Sequence, residues 1–232
     1  MCGISGLISF STIDEQNVAE VQQINDALIH RGPDGGALFS DENVVLGHRR
    51  LSIIDISSGA DQPMKSVDED LVIVFNGEIY NHAELRTELV SEYQFKTDHS
   101  DTEVILNAYK KWGIDCLSHF KGMFAFSLYD KKKNEVFLVR DRFGKKPFYY
   151  IKKGHRLYFS SEIQSLFQSG VLKKEINQEA IYHYLTFLTI NAPNTFFKGV
   201  QKIKAGHYIK ITPNSTEEIQ YWNVATHLNQ QD

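Results

Sequence analysis

Cys2 offers the most chemistry of any residue in the chain. A free cysteine usually ends up as a small buried hydrophobe, but this one directly follows the initiator methionine. Removal of Met1 would leave a thiol and an α-amine on a single residue. An α-amine titrates near about 7.7–8.0 and a thiol near about 8.5, so the amine can take the thiol's proton close to neutral pH. Nucleophile and base would then come from one residue, with no histidine partner. On position alone, core residue and N-terminal nucleophile are both open.

Asn76-Gly77 follows an apolar run, Leu71 to Phe75. Asn-Gly is a leading hairpin-turn signal. It can also form an oxyanion hole, with the Asn76 side-chain amide and the Gly77 N–H as donors and no Cβ at residue 77 to obstruct them. Both readings can hold together. Arg50, in Gly47-His48-Arg49-Arg50-Leu51-Ser52, can grip a carboxylate bidentately, whereas Arg49 reads as a solvated strand entry. Asp101 follows a capping Ser100 and could receive an ammonium, although an acidic first helical turn needs no function. Arg50 and Asp101 together would clamp an amino acid, but sequence does not bring them together.

Other groups read as structural. His30-Arg31-Gly32-Pro33-Asp34-Gly35 is a lid or simply a helix end, and Asp141-Arg142-Phe143-Gly144-Lys145-Lys146-Pro147 is a basic turn between strands rather than a phosphate site. Cys116 follows a helix stop and reads as core. No spaced His/Cys cluster points to a metal, and neither G-x-x-x-x-G-K-[ST] nor G-x-G-x-x-G occurs.

The elements that must position these residues are short strands and a few helices. Ile4 to Phe10 alternates as a strand, and Val18, Val21, Ile24 and Leu28 make one face of a helix within Asp14 to His30. Further strands are expected at Val44–Leu46, Leu51–Ile56 and Leu71–Phe75. Asn81 and Ser100 can each cap a helix, the second through a capping box with Glu103, and Gly113 stops that helix. Aromatic and β-branched runs at Met123–Tyr129, Val136–Val139 and Phe148–Ile151 predict an antiparallel meander, with a turn at Lys131–Asn134. Helices at Ser161–Ser169 and Gln178–Phe187 precede closing strands near His207–Ile211 and Ile219–Trp222. Strands on both sides of the middle helices indicate an α+β sandwich. One domain over residues 1–224 is expected, with 225–232 as a tail or the start of a linker.

Composition fits this picture. The chain has 232 residues, 42% hydrophobic and 23% charged, enough for a core that needs no metal or disulfide staples. A net charge of −4 disfavours nucleic acid or an anionic membrane as the main partner. Two cysteines exclude a disulfide framework and suit a reducing cytoplasm. No apolar run approaches a membrane span, and no basic leader opens the sequence. The expectation is a soluble, cytoplasmic protein.

These pieces resemble a known family. Cys2-Gly3-Ile4-Ser5-Gly6, His30 to Gly35, Arg50-Leu51-Ser52-Ile53-Ile54-Asp55, Asn76-Gly77-Glu78-Ile79-Tyr80-Asn81 and Ser100-Asp101-Thr102-Glu103 stand in the order and spacing of the glutaminase domain of glutamine-hydrolysing asparagine synthetases, a class II amidotransferase. Phe120 to Phe126, Arg140 to Gly144 and Phe159 to Glu162 extend the likeness over essentially the whole chain. The resemblance implies an N-terminal nucleophile hydrolase fold, a four-layer αββα sandwich with two mostly antiparallel sheets. It implies that Cys2 forms a glutamyl thioester and releases ammonia, with Asn76 and Gly77 holding the oxyanion. Arg50 would bind the carboxylate of L-glutamine, and Asp101 with Glu78 its α-ammonium. Main-chain groups of Leu51, Ser52, Ile53 and Ile54 would line the pocket, under a loop containing Arg31 to Asp34.

The family's Ser-Gly-Gly-x-Asp-Ser phosphate loop, which belongs to an ATP-binding synthetase domain, does not occur in this sequence. ATP and Mg²⁺ are therefore expected only in a separate synthetase domain or partner chain that receives the ammonia, and no cofactor is expected here. A homodimer is compatible with the resemblance. The acceptor would be aspartate in the commonest case. A rival reading is a non-catalytic glutamine-sensing or interaction module on the same fold; another is an amidase for a different amide.

Overall fold

A computed structural model describes residues 1–52 and 58–225 of the chain. In chain order the strands are β1 (Gly3–Ser9), β2 (Gly35–Ser40), β3 (Val44–Arg50), β4 (Met64–Lys65), β5 (Leu71–Ile79), β6 (Gly122–Asp130), β7 (Glu135–Arg140), β8 (Tyr149–Lys153), β9 (Arg156–Ser160), β10 (Val200–Lys202), β11 (His207–Ile211) and β12 (Thr216–Gln220). The helices are α1 (Glu15–Asp26), α2 (His82–Leu89), α3 (Asp101–Trp112), α4 (Cys116–His119), α5 (Ile163–Leu166) and α6 (Gln178–Phe187). Among the described residues the strands form two six-stranded sheets, ordered β10-β8-β9-β1-β3-β2 and β12-β11-β7-β6-β5-β4. The ladders within each sheet are antiparallel.

Strand alternation divides the apolar residues into layers. Ile4, Ile8, Val44 and Leu46 of the first sheet meet Val72, Val74, Ala125 and Leu138 of the second in a common core. The opposite parity faces outward. Leu7 and Val45 pack under Val21 and Ile24 of α1 and Leu166 of α5. Leu71, Ile73 and Phe75 pack under Leu85 of α2 and Val104 and Ile105 of α3. The order is helix, sheet, sheet, helix. A one-residue slip in β3 or β5 would send a whole inner row outward. Each fully buried aliphatic side chain contributes about 1.5–3 kcal/mol, so the register is strongly fixed. The same parity carries His48 and Asn76 into the gap between the sheets, next to Cys2.

Several local expectations need correction. Asn76-Gly77 is not a hairpin turn: both residues lie inside β5, paired with Ala125 and Phe124 of β6. Apolar residues on either side of the pair keep the strand extended. Asn81 does not cap α2 through its side chain. It reaches across to α4 instead, donating to the His119 carbonyl at 3.0 Å and accepting from the Lys121 N–H at 2.9 Å. Ser100 stands at the N-cap of α3 without a side-chain cap bond. Glu103 is drawn away from the capping box by the preceding loop, accepting from the N–H groups of Lys96 at 2.6 Å and Thr97 at 2.8 Å. The meander divides between the sheets: β6 pairs with β7, but β8 crosses to the first sheet beside β9. α1 ends at Asp26, short of His30. The strand expected over 51–56 does not include Leu51 or Ser52, and its residues 53–56 lie outside the described residues. The expected tail, from residue 226 on, also lies outside them.

Candidate active site

The site is built at one end of the gap between the sheets. Cys2 lies immediately before β1, half-buried. Its Sγ accepts the Leu51 N–H at 3.4 Å and lies 3.6 Å from the Leu51 carbonyl. Its own carbonyl accepts from Arg31 Nε at 3.0 Å. Arg31 is held in turn by Glu162, whose Oε1 accepts from Nη1 at 2.9 Å, while His30 Nε2 lies 3.1 Å from both Glu162 oxygens. Burial would raise the Glu162 carboxyl, but Arg31 and His30 outweigh it and hold the group below its usual value. The His30–Asp34 segment is thereby latched to the start of β1. Asp34 adds a second latch, its Oδ2 accepting from the Ser52 N–H at 2.8 Å.

A cleft of about 210 Å³ opens in front of the Cys2 thiol. It is lined by Cys2, Arg50, Leu51, Ser52, Asn76, Gly77, Glu78 and Asp101, so these expected site residues converge in space. Ile53 and Ile54 lie outside the described residues. Arg50 ends β3 and pairs with Asp61, which is largely exposed. Asn76 is 1% exposed, and its Nδ2 is buried with no hydrogen-bond partner. At residue 77 a Cβ would sit 2.4 Å from the Met123 carbonyl oxygen and 2.7 Å from Phe124 Cα, so the close β5–β6 pairing at this point requires glycine. Asp101 opens α3 and is buried; its Oδ2 accepts from the Ile79 N–H at 3.1 Å. Burial raises its carboxyl above the usual value, against the lowering effect of that hydrogen bond.

Sequence reasoning missed three other residues that line the cleft. His48 is buried, with Nε2 3.2 Å from the Phe75 carbonyl. Desolvation drives its pKa down to about 3, so the ring is neutral, and Nε2 must carry the proton it donates to Phe75. Its parity with Val44 and Leu46 was the available signal. Gln62 joins the two sides of the cleft: its Oε1 accepts from the Phe75 N–H at 2.6 Å and its Nε2 donates to Thr102 Oγ1 at 3.2 Å. No sequence pattern marks it. Lys146 reaches the cleft from the turn after β7. Cys116, by contrast, is plain core, with its thiol pushed up by burial. Among the described residues no group of three or more His, Cys, Asp or Glu could hold a metal ion.

Two antiparallel sheets between helices, with a cysteine at the head of a central strand, define a class known from other proteins. Residues 1–222 match the family described as the glutamine amidotransferase domain, and the chain belongs to that family. It is 36% identical over 228 residues to asparagine synthetase (glutamine-hydrolyzing) 3 of Bacillus subtilis, covering 97% of this chain and 37% of that protein. It is 40% identical over 221 residues to asparagine synthetase (glutamine-hydrolyzing) 1 of the same organism, covering 92% of this chain and 34% of the relative. The chain thus spans about a third of the length of these curated relatives. Among solved structures, the glutamine phosphoribosylpyrophosphate amidotransferase of B. subtilis superposes with a TM-score of 0.70 at 18% identity, covering 95% of this chain and 49% of that one. That likeness bears out the fold expected from sequence, a four-layer αββα sandwich with two antiparallel sheets.

Proposed function

We propose that this chain hydrolyses L-glutamine to L-glutamate and ammonia through a thioester on Cys2, once Met1 has been removed. The α-amine of Cys2 takes the thiol proton, and the sulfur attacks the side-chain amide carbon of glutamine. The resulting oxyanion is held by the Asn76 amide and the Gly77 N–H. The carbon–nitrogen bond then breaks, the nitrogen takes the proton from the amine, and ammonia leaves. Water cleaves the thioester and releases glutamate. Arg50 holds the α-carboxylate of the substrate, Asp101 with Glu78 its α-ammonium, and Leu51 and Ser52 line the pocket. Arg50 must exchange Asp61 for the substrate, which is cheap, because an exposed ion pair is worth only about 0–1 kcal/mol.

The observation that carries this reading is the buried, unpartnered Nδ2 of Asn76 in the cleft beside the thiol. An orphaned buried donor costs about 1–3 kcal/mol, and an oxyanion that forms only during reaction is a partner that accounts for it. Asp101 supports the reading in the same way, as a buried carboxylate that gains most from an incoming ammonium.

The ammonia is destined for an ATP-activated carboxylate, aspartate before others, on a synthetase domain or partner chain where ATP and Mg²⁺ act. This chain needs no cofactor of its own, and it works in the cytoplasm, without nucleic acid or membrane, in an assembly that can include a second copy of itself. The apolar face of α6, with Tyr182, Leu185 and Phe187 exposed, supports a larger assembly. Among the described residues no helix is long and apolar enough to cross a membrane. The deciding experiment is ammonia release by the purified, Met1-free chain from L-glutamine, compared with L-asparagine, with glutamate release measured alongside for L-glutamine and a γ-glutamyl dipeptide. Release from glutamine alone is expected; equal release from asparagine, or none from glutamine, overturns the reading.

A further inference from the structure

Lys146 stands apart from the roles assigned above. It lies in the turn between β7 and β8, and that turn is caged from within. The Asp141 carboxylate accepts four main-chain N–H groups: Phe143 at 3.1 Å and Lys145 at 2.9 Å on Oδ1, Phe124 at 3.3 Å and Lys146 at 2.9 Å on Oδ2. The buried Arg140 guanidinium donates to the carbonyls of Lys146 at 2.8 Å, Ile203 at 2.6 Å and Gly144 at 2.5 Å. With both ends of its peptide unit fixed, Lys146 extends a side chain that is only 6% exposed into the cleft.

The charged and thiol groups acting on its ammonium are Arg31, Cys2, Asp141 and Glu78. Among the described residues none forms an ion pair or hydrogen bond with Nζ, and the one nearby carboxylate in its own turn is already saturated by main-chain donors. Desolvation first, and repulsion from Arg31 second, hold this ammonium below the usual lysine value. A cation in such surroundings is costly unless a ligand brings negative charge to it. Arg50 and Asp101 answer the two charges that glutamine already carries. Lys146 carries the wrong sign for the α-ammonium, and Cys2 is among the groups that act on it, so it can meet the charge that appears only as the amide becomes an oxyanion and the product becomes a second carboxylate.

We infer that Lys146 is a further binding residue of this site, recognising the side-chain carboxylate of L-glutamate and the oxyanion that precedes it in preference to the neutral amide of L-glutamine. The inference rests on the glutaminase reading above.

The test uses the Met1-free Cys2→Ala chain, which binds without turnover, and titrates it calorimetrically with L-glutamate and L-glutamine. Lys146→Met in this background is expected to weaken glutamate about tenfold or more, the scale of a lost charge-assisted bond. Glutamine should change less than about twofold, and Lys146→Arg should restore glutamate. Equal weakening of both ligands, or of neither, overturns the role. If Lys146→Met fails to fold, the ratio of the two affinities in the Cys2→Ala chain decides. Glutamate must lose ground to glutamine as rising pH discharges the ammonium, and must do so less in Lys146→Arg, whose charge persists, because the α-amines of both ligands and of residue 2 are common to the two chains; equal pH dependence of the two chains overturns the role. Ammonia release by the unaltered Met1-free chain is measured alongside. Release together with an unchanged glutamate affinity removes Lys146 and spares the glutaminase reading, whereas no release removes both.

Discussion

The thiol of Cys2 lies against both main-chain groups of Leu51, with the Leu51 N–H donating to Sγ at 3.4 Å and the Leu51 carbonyl 3.6 Å away. Leu51 is the first residue beyond β3, so the point where that strand lets go of the sheet is also the rest for the nucleophile. Arg50, one residue earlier, stays within the strand ladder, paired with Gly35. The positions of the Cys2 thiol and the Arg50 guanidinium are therefore fixed by the same strand end.

Cys2→Ala is expected to abolish ammonia release and to leave folding and glutamine binding largely intact. The thiol makes only weak contacts with Leu51, and the remaining cleft lining is untouched. Turnover above background by a correctly processed Cys2→Ala chain, measured with a coupled ammonia assay, would sink the mechanism.

Arg50→Ala and Asn76→Ala should separate in steady-state kinetics. Arg50 meets a charge present in substrate and transition state alike, so its loss should raise KM. Asn76 meets a charge that exists only during reaction, so its loss should lower kcat by about 10²–10³. The opposite pattern would mean that the roles are reversed.

Activity should require removal of Met1. Met1 itself lines the cleft, where it occupies space that the substrate amide needs, since reacting atoms must come within about 3–3.5 Å. Retaining it also converts the α-amine into a peptide N–H, a loss of base worth about 10²–10⁴ in rate. The comparison is between the trimmed protein, verified by intact mass, and a variant with an uncleavable residue before Cys2. Equal turnover by the two would mean that another group serves as base.

Asp101→Asn should stabilise the unliganded protein while weakening glutamine binding. Burial raises the Asp101 carboxyl in the folded state. The stability linked to its proton is therefore present below the ordinary carboxylate range and is lost as pH rises through the raised value. At neutral pH the buried charge is a cost that asparagine does not incur, while its side-chain oxygen still accepts from Ile79. Each kcal/mol regained is worth about 2–4 °C in Tm for a chain of this size. Thermal unfolding should show the variant ahead at pH 7, with the gap closing near about pH 3. A variant that melts lower at neutral pH would contradict the assignment.

Much of this site was legible in the sequence because its residues sit in short contiguous motifs on strongly patterned strands. Cys2 gave itself away by position, and Asn76-Gly77 by its apolar run, although turn propensity pointed to a hairpin where cross-strand pairing with β6 keeps the strand going. Turn and strand could not be told apart without knowing that residues 76 and 77 find partners at 125 and 124. Gln62 and Lys146 were illegible for a different reason. Their importance comes from contacts across the fold, Gln62 from a loop to both β5 and α3, and Lys146 from a basic turn whose other lysine, Lys145, is exposed. The capping box at Ser100 failed because Glu103 had better donors at Lys96 and Thr97, which only the folded loop supplies.

β1 lies between β3 and β9, with every residue from Gly3 to Ser9 buried. One neighbour, β3, is made soon after it, but the other pairs Ser5 with Ser160 and Ile8 with Leu157. On a ribosome adding about 5–20 residues per second, roughly 8–30 s pass between synthesis of the amino end and arrival of the strand that closes over it. During that interval the amino end hangs from a half-built sheet, open to any trimming enzyme. The timetable of translation thus gives the chain a period in which its first peptide bond can be cut before the strand behind it is locked between two neighbours.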